Sequence, residues 1–141
     1  MAGLYVHVPF CASRCIYCGF YSTIPTRQKD NGLTIEEQYV NALCNEMQLR
    51  ANELDKPIRS IYLGGGTPSQ LAYKSLQQIF STIKKVFHIT WNKNNSPLEI
   101  TMECNPDDVT DTFVRDLQKL PINRISMGVQ TFSDERLRFL H

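Results

Sequence analysis

Apolar and polar residues alternate along four short stretches of this chain, Leu4–Val8, Ile61–Gly64, Leu98–Met102 and Arg124–Val129, and that period of two predicts β-strands. Between them apolar residues return at helical spacing. Thr34 followed by Glu37 reads as a capping box, after which Val40, Leu43, Cys44, Met47 and Leu54 recur on a helical period. A second helix is predicted from Ser69 to Phe87, with Leu76, Ile79, Phe80 and Ile83 on one face. A third follows Thr110 and carries Phe113, Val114, Leu117 and Leu120; a fourth begins near Ser133 and reaches His141. Thr23–Gly32 and Asn92–Pro97 read as polar, turn-rich connections. Strand and helix in alternation predict βα units on a parallel sheet, an α/β fold. No internal repeat and no linker divides the chain. A closed eight-stranded barrel needs about 200 residues or more, so four strands make half of one, or a small open sheet. The expectation is the front part of a longer protein.

The parity of the strands sharpens this. Leu4, Val6 and Val8 share one face of the first strand, Tyr5 and His7 the other. Ile61 and Leu63 oppose Tyr62 and Gly64; Ile100 and Met102 oppose Thr101 and Glu103; Ile125, Met127 and Val129 oppose Ser126, Gly128 and Gln130. Each strand thus has one aliphatic face, suited to packing beneath helices, and one polar or small face. An ordinary barrel interior is filled with branched aliphatics, so the polar face reads as the wall of a ligand cavity. The alternative is an open sheet with one solvated face. Cys11, Gly64–Thr67, Glu103 and Gln130 follow the C-terminal ends of the four strands, the edge where parallel α/β folds bind ligands.

Composition and charge mainly exclude. With 42% hydrophobic and 21% charged residues the chain is of ordinary globular make-up, which rules out long disorder and fibrous repeats. No run approaches the roughly 18 apolar residues of a membrane span, and the first residues do not resemble a signal peptide. A net charge of +1 gives no bulk electrostatic reason to bind nucleic acid. Five cysteines, an odd number with no secretory signal, point to a reducing compartment, the cytoplasm.

Three of those cysteines, Cys11, Cys15 and Cys18, fall in one loop. Three thiolates can hold three corners of a cubane iron–sulfur cluster and leave one iron without a protein ligand, open to a small molecule. A zinc site completed by His7 or a distant cysteine is the rival, although the spacing is unlike the paired CxxC of zinc ribbons. Phe10, Ile16, Tyr17, Phe20 and Tyr21 are expected to shield a cluster from water, or else to belong to the core. Gly64-Gly65-Gly66-Thr67-Pro68 lies between a strand and a helix, where glycines allow close approach of backbone to ligand. Glu103 can accept hydrogen bonds from a ribose or an amine, and Gln130 can donate and accept.

With those residues in place the sequence resembles the radical S-adenosylmethionine (SAM) superfamily, whose cluster signature is CxxxCxxC. Gly3–Cys11, Tyr62–Ser69, Glu103–Pro106 and Arg124–Phe132 resemble its oxygen-independent coproporphyrinogen III oxidase branch. The resemblance implies the N-terminal part, about four βα units, of a partial parallel (β/α) barrel, with residues 1–141 an incomplete core domain lacking the remaining barrel and a C-terminal domain. It implies a [4Fe–4S] cluster on Cys11, Cys15 and Cys18, with SAM on the open iron. Gly65, Gly66 and Thr67 would contact the methionine part of SAM, Glu103 and Gln130 would hold it further along, and Tyr5 and Tyr17 would flank the cofactors. An electron from the cluster would cleave SAM to a radical that abstracts hydrogen from a substrate.

Two departures point to a subgroup. Phe20 stands where the oxidases extend the triplet to CxxxCxxCxC, and Cys11 comes almost at once. Both resemble the haem chaperones of this branch, which bind haem and hand it to haem-requiring proteins. The oxidase, which converts coproporphyrinogen III in porphyrin biosynthesis, is the alternative, and a zinc-binding or purely structural module the third reading. Cys44 is expected in the core, Cys104 outside the site, and His7 as a hydrogen-bonded structural histidine. Asp107 and Asp108 are expected to shape the loop before Thr110, while His88 and His141 have no visible partners.

Overall fold

A computed structural model describes residues 2–26, 28–54, 56–91 and 98–140. In chain order the elements are β1 (Ala2–Val8), the short β2 (Lys29–Asp30) and β3 (Leu33–Thr34), α1 (Ile35–Leu49), β4 (Ile58–Gly65), α2 (Tyr73–Val86), β5 (Glu99–Cys104), α3 (Asp111–Leu117), β6 (Arg124–Met127) and α4 (Asp134–Leu140). Four strands form one sheet in the order β1-β4-β5-β6. Every pairing is parallel, with Leu4 opposite Ile61, Ile61 opposite Ile100 and Met102 opposite Ile125. The succession of βα units predicted by the alternating pattern is what forms. Its C-terminal strand ends therefore lie along one edge.

Local chemistry explains the boundaries. The Thr34 side chain accepts from the Glu37 N–H at 3.2 Å while the Thr34 N–H donates to Glu37 Oε2 at 2.9 Å, so the capping box starts α1. The helix ends at Leu49, where the Arg50 guanidinium joins Glu46 and Glu53, each at 2.9 Å. Leu54, predicted on the same helical period, lies beyond that end. The second helix starts later than its apolar pattern suggests. Pro68 opens a separate 3₁₀ turn (Pro68–Gln70), and Leu71 is extended at ψ 138°, which postpones α2 to Tyr73. The connection expected as plain loop over Thr23–Gly32 runs into a small hairpin, β2 with β3. Asn31 and Gly32 supply the two positive φ values, 50° and 80°, that a tight hairpin turn requires. The connection expected at Asn92–Pro97, and His141, lie outside the described residues.

Val6, Val8, Ile61, Leu63, Ile100 and Met102 are buried beneath α1 (Val40, Cys44, Met47) and α2 (Leu76, Ile79, Phe80, Ile83). Each such side chain contributes about 1.5–3 kcal/mol by leaving water. Cys44 takes its expected core place and accepts a hydrogen bond from Thr82 Oγ1 at 3.2 Å. The aliphatic face of the fourth strand is the exception. Ile125, Met127 and Val129 stay 39%, 45% and 37% exposed. β6 is an edge strand, and neither α3 nor α4 buries a residue. Packing beneath helices thus holds for three strands and fails for β6.

Candidate functional site

The loop leaving β1 folds back on its own root. Cys11 N–H donates to Thr23 O at 3.0 Å and Thr23 N–H to Pro9 O at 2.6 Å, while Arg14 Nη2 donates to Ser22 O at 3.0 Å. Cys18 N–H reaches Cys15 O at 3.2 Å, closing a turn between those two cysteines. All three thiols are free, Cys11 and Cys15 half-buried and Cys18 exposed. Tyr17 stands over this turn. Its phenol is pushed above its ordinary range by burial, then by a hydrogen bond to Cys15 and the charges of Cys15 and Cys18. Among the described residues, no three His, Cys, Asp or Glu side chains converge to hold a single metal ion.

The glycine turn after β4 is fastened to that loop. Gly66 N–H donates to Val8 O and Thr67 N–H to Phe10 O, both at 2.7 Å. Thr67 Oγ1 donates to Cys11 Sγ at 3.4 Å, across 56 residues of sequence. A Cβ at Gly66 would stand 2.6 Å from Phe10 O and 2.9 Å from Val8 O, both backbone atoms that cannot turn aside. Gly65 adopts φ 111° and donates its N–H to Glu103 Oε2 at 3.0 Å. The amides of residues 65, 66 and 67 are thus all committed within the protein. What remains for a ligand at this turn is carbonyl oxygen, which suits an ammonium group and does not suit a phosphate.

The polar face of the sheet continues from there. Glu103 Oε1 accepts from Tyr62 OH at 2.7 Å, and the Tyr62 ring stacks on Tyr5 with centroids 6.1 Å apart and planes 27° from parallel. Tyr5 OH lies 3.1 Å from His7 Nδ1, and His7 Nε2 3.0 Å from Tyr21 O. His7 is the hydrogen-bonded histidine its position suggested. The hydrogen bond to Glu103 pushes the Tyr62 phenol above its ordinary range, with burial second; burial and then the Glu103 charge do the same to Tyr5.

The structure therefore brings Tyr5, Gly65 and Glu103 into one hydrogen-bonded and stacked group, and joins Thr67 to Cys11. Gln130 is not part of either. It is exposed at φ 61°, with its amide folded over Gly128. The aromatic residues around the loop divide between core and surface. Phe10 is core, edge-on to Tyr39 at 5.3 Å, whereas Ile16, Tyr17, Phe20 and Tyr21 are 50–78% exposed. Cys104 is buried beside Met102 and its thiol is pushed up by burial. Asp108 does shape its loop, accepting from Ser69 Oγ at 2.5 Å, while Asn105 N–H donates to Ser69 Oγ at 3.1 Å. A groove of about 760 Å3 runs between the open edge of β1 and α1, lined by Leu4, Leu43, Met47 and Phe87 among others. It contains none of the three cysteines and none of the glycine turn. Two contributors went unassigned in the sequence, Tyr62 and Ser69. Their only signal was position: Tyr62 has the parity of Glu103's face, and Ser69 follows the glycine turn directly.

Comparison with known proteins places the chain in a family. Residues 5–141 match the family described as the Radical SAM superfamily. The heme chaperone HemW of Buchnera aphidicola is 34% identical over 136 residues, covering 96% of this chain and 34% of that protein. The oxygen-independent coproporphyrinogen III oxidase of Synechocystis is 34% identical over 134 residues, covering 94% and 27%. The solved structure of coproporphyrinogen III oxidase (HemN) from Escherichia coli, described as a radical SAM enzyme, superposes with a TM-score of 0.80 at 31% identity, over 98% of this chain and 30% of that one. The chain spans about a third of the length of these relatives.

Proposed function

The chain belongs to the radical SAM superfamily, and from that premise we propose that Cys11, Cys15 and Cys18 hold a [4Fe–4S] cluster beside a bound SAM in a protein that carries haem. Membership of the superfamily implies the cluster and SAM. Three free thiols in one loop are the right donors for a cluster with one iron left open. The carrying observation is the tie between Thr67 Oγ1 and Cys11 Sγ, because it sets the glycine turn beside the first thiol. Carbonyls of Gly65 and Gly66 would receive the ammonium of the methionine part, since the neighbouring N–H groups are already engaged. Glu103 adds a negative charge, complementary to a sulfonium ligand, and retains accepting capacity on both oxygens. Tyr5 and Tyr17 flank the two groups, and Gln130 would join by swinging from its place over Gly128. When bound, the cluster supplies an electron to the sulfonium; the residues named orient the reactants.

Haem delivery is the activity we favour, because Phe20 replaces the additional cysteine of the oxidases, with haem-accepting proteins as partners and the cytoplasm as location. Among the described residues no helix is long and apolar enough to cross a membrane. The oxidase reading is supported by the match to the HemN structure. Anaerobic reconstitution with iron and sulfide, followed by metal and sulfide analysis and EPR with and without SAM, tests the site. Ala in place of Cys11, Cys15 or Cys18 should abolish cluster loading, and Cys44→Ala should retain it; zinc without sulfide would overturn the reading. Haem binding without conversion of coproporphyrinogen III supports delivery, whereas a vinyl product supports the oxidase.

A further inference from the structure

Tyr62 sits on β4 facing the same side as Glu103 on β5, and three observations converge on its side chain. It donates to Glu103 Oε1 at 2.7 Å, across 41 residues of sequence. Its ring can lean over to do so because residue 64 is glycine: a Cβ there would stand 2.7 Å from Tyr62 Cε1 and 3.0 Å from Glu103 Oε2. The ring lies beside Tyr5, with centroids 6.1 Å apart and planes 27° from parallel. One side chain on β4 thus links β1 to β5 across the polar face. Glu103 Oε2 has a backbone donor, Gly65 N–H, but Oε1 has Tyr62. With a single donor the carboxylate is free to rotate about its last side-chain bond; with two it is fixed, and each oxygen keeps a lone-pair direction for a ligand.

We propose that Tyr62 is a positioning residue that fixes the Glu103 carboxylate for the bound nucleoside cofactor, acting through Glu103 and touching no ligand itself. The inference rests on the reading of Glu103 as a SAM contact. Tyr62→Phe keeps the ring, its stack on Tyr5 and its packing, and removes only the donor.

Two measurements test it. On the chain without cluster, ultraviolet titration of the phenols should show several tyrosines of high pKa, one of which is lost in Tyr62→Phe; in a Tyr5→Phe background that one should titrate lower in Glu103→Gln, and no change there would overturn the bond itself. On the reconstituted chain, calorimetric titration with SAM and with S-adenosylhomocysteine should show about tenfold weaker binding for Tyr62→Phe, the scale of one hydrogen bond to a charged group. The double variant should bind no more weakly than Glu103→Gln alone, the non-additivity expected when one residue works through the other. Equal binding by Tyr62→Phe and the unsubstituted chain, or losses that simply add, would overturn the proposal while leaving the functional reading standing. No binding by the unsubstituted reconstituted chain, or full binding by Glu103→Gln, would overturn the functional reading of Glu103 and this proposal with it.

Discussion

At Gly66 the absence of a side chain has a definite purpose. The space a Cβ would need is filled by the carbonyls of Val8 and Phe10, so Gly66→Ala must push the turn away from the cysteine loop. We expect it to lower the melting temperature and to reduce cluster loading, measured by iron and sulfide content, whereas alanine at the unobstructed Gly19 should load normally. Tyr39 gives a residue-scale prediction in pH. Burial pushes its phenol up to about 12 from an ordinary 10, and its hydroxyl donates to His7 O. Its neutral form is favoured by the fold, so its contribution is fully present below pH 10 and is lost as pH rises towards about 12. Denaturation midpoints across that window should fall less steeply for Tyr39→Phe. Legibility at this scale was uneven. Glu103 could be placed by strand parity alone, because parity is a local property of the chain. The Tyr62–Glu103 bond, between residues 41 apart, depends on sheet register and on the room left by Gly64, neither of which a single strand discloses. Gln130 lies past the end of β6 with a left-handed backbone, a placement that the alternation along the strand does not disclose.

Among the elements, α1 was the most readable, since its capping box and its apolar period agree. Thr34→Ala removes the acceptor for the Glu37 N–H and should cost about 1 kcal/mol, read as a shift in urea midpoint at unchanged slope. The second helix starts later than its apolar period indicates, because that period persists through a 3₁₀ turn and only the extended backbone at Leu71 separates Pro68–Gln70 from α2. The hairpin of β2 and β3 leaves no trace in the alternation because its strands, two residues each, are too short to alternate. Asn31-Gly32 was its one local mark.

Across the whole molecule burial is unequal. β4 and β5 lie in the middle of the sheet under α1 and α2, while β6 has a neighbour on one side alone and its aliphatic side chains meet solvent. Met102→Ala should therefore cost about 2–5 kcal/mol, the usual range for emptying a buried site, and Met127→Ala less than about 1 kcal/mol. Equal losses by chemical denaturation would mean that β6 is covered in solution. The alternating pattern predicted an aliphatic face on all four strands; it could not tell which of those faces would find a helix, because that is decided by the elements packed around a strand.

The amides of Gly66 and Thr67 end on the carbonyls of Val8 and Phe10, in the segment that leads into Cys11. Displacing that cysteine should open both. Deuterium uptake at these two positions should accordingly slow when iron and sulfide are loaded and quicken when they are stripped, so that a pair of backbone protons more than fifty residues downstream keeps a running record of whether the thiol loop is filled.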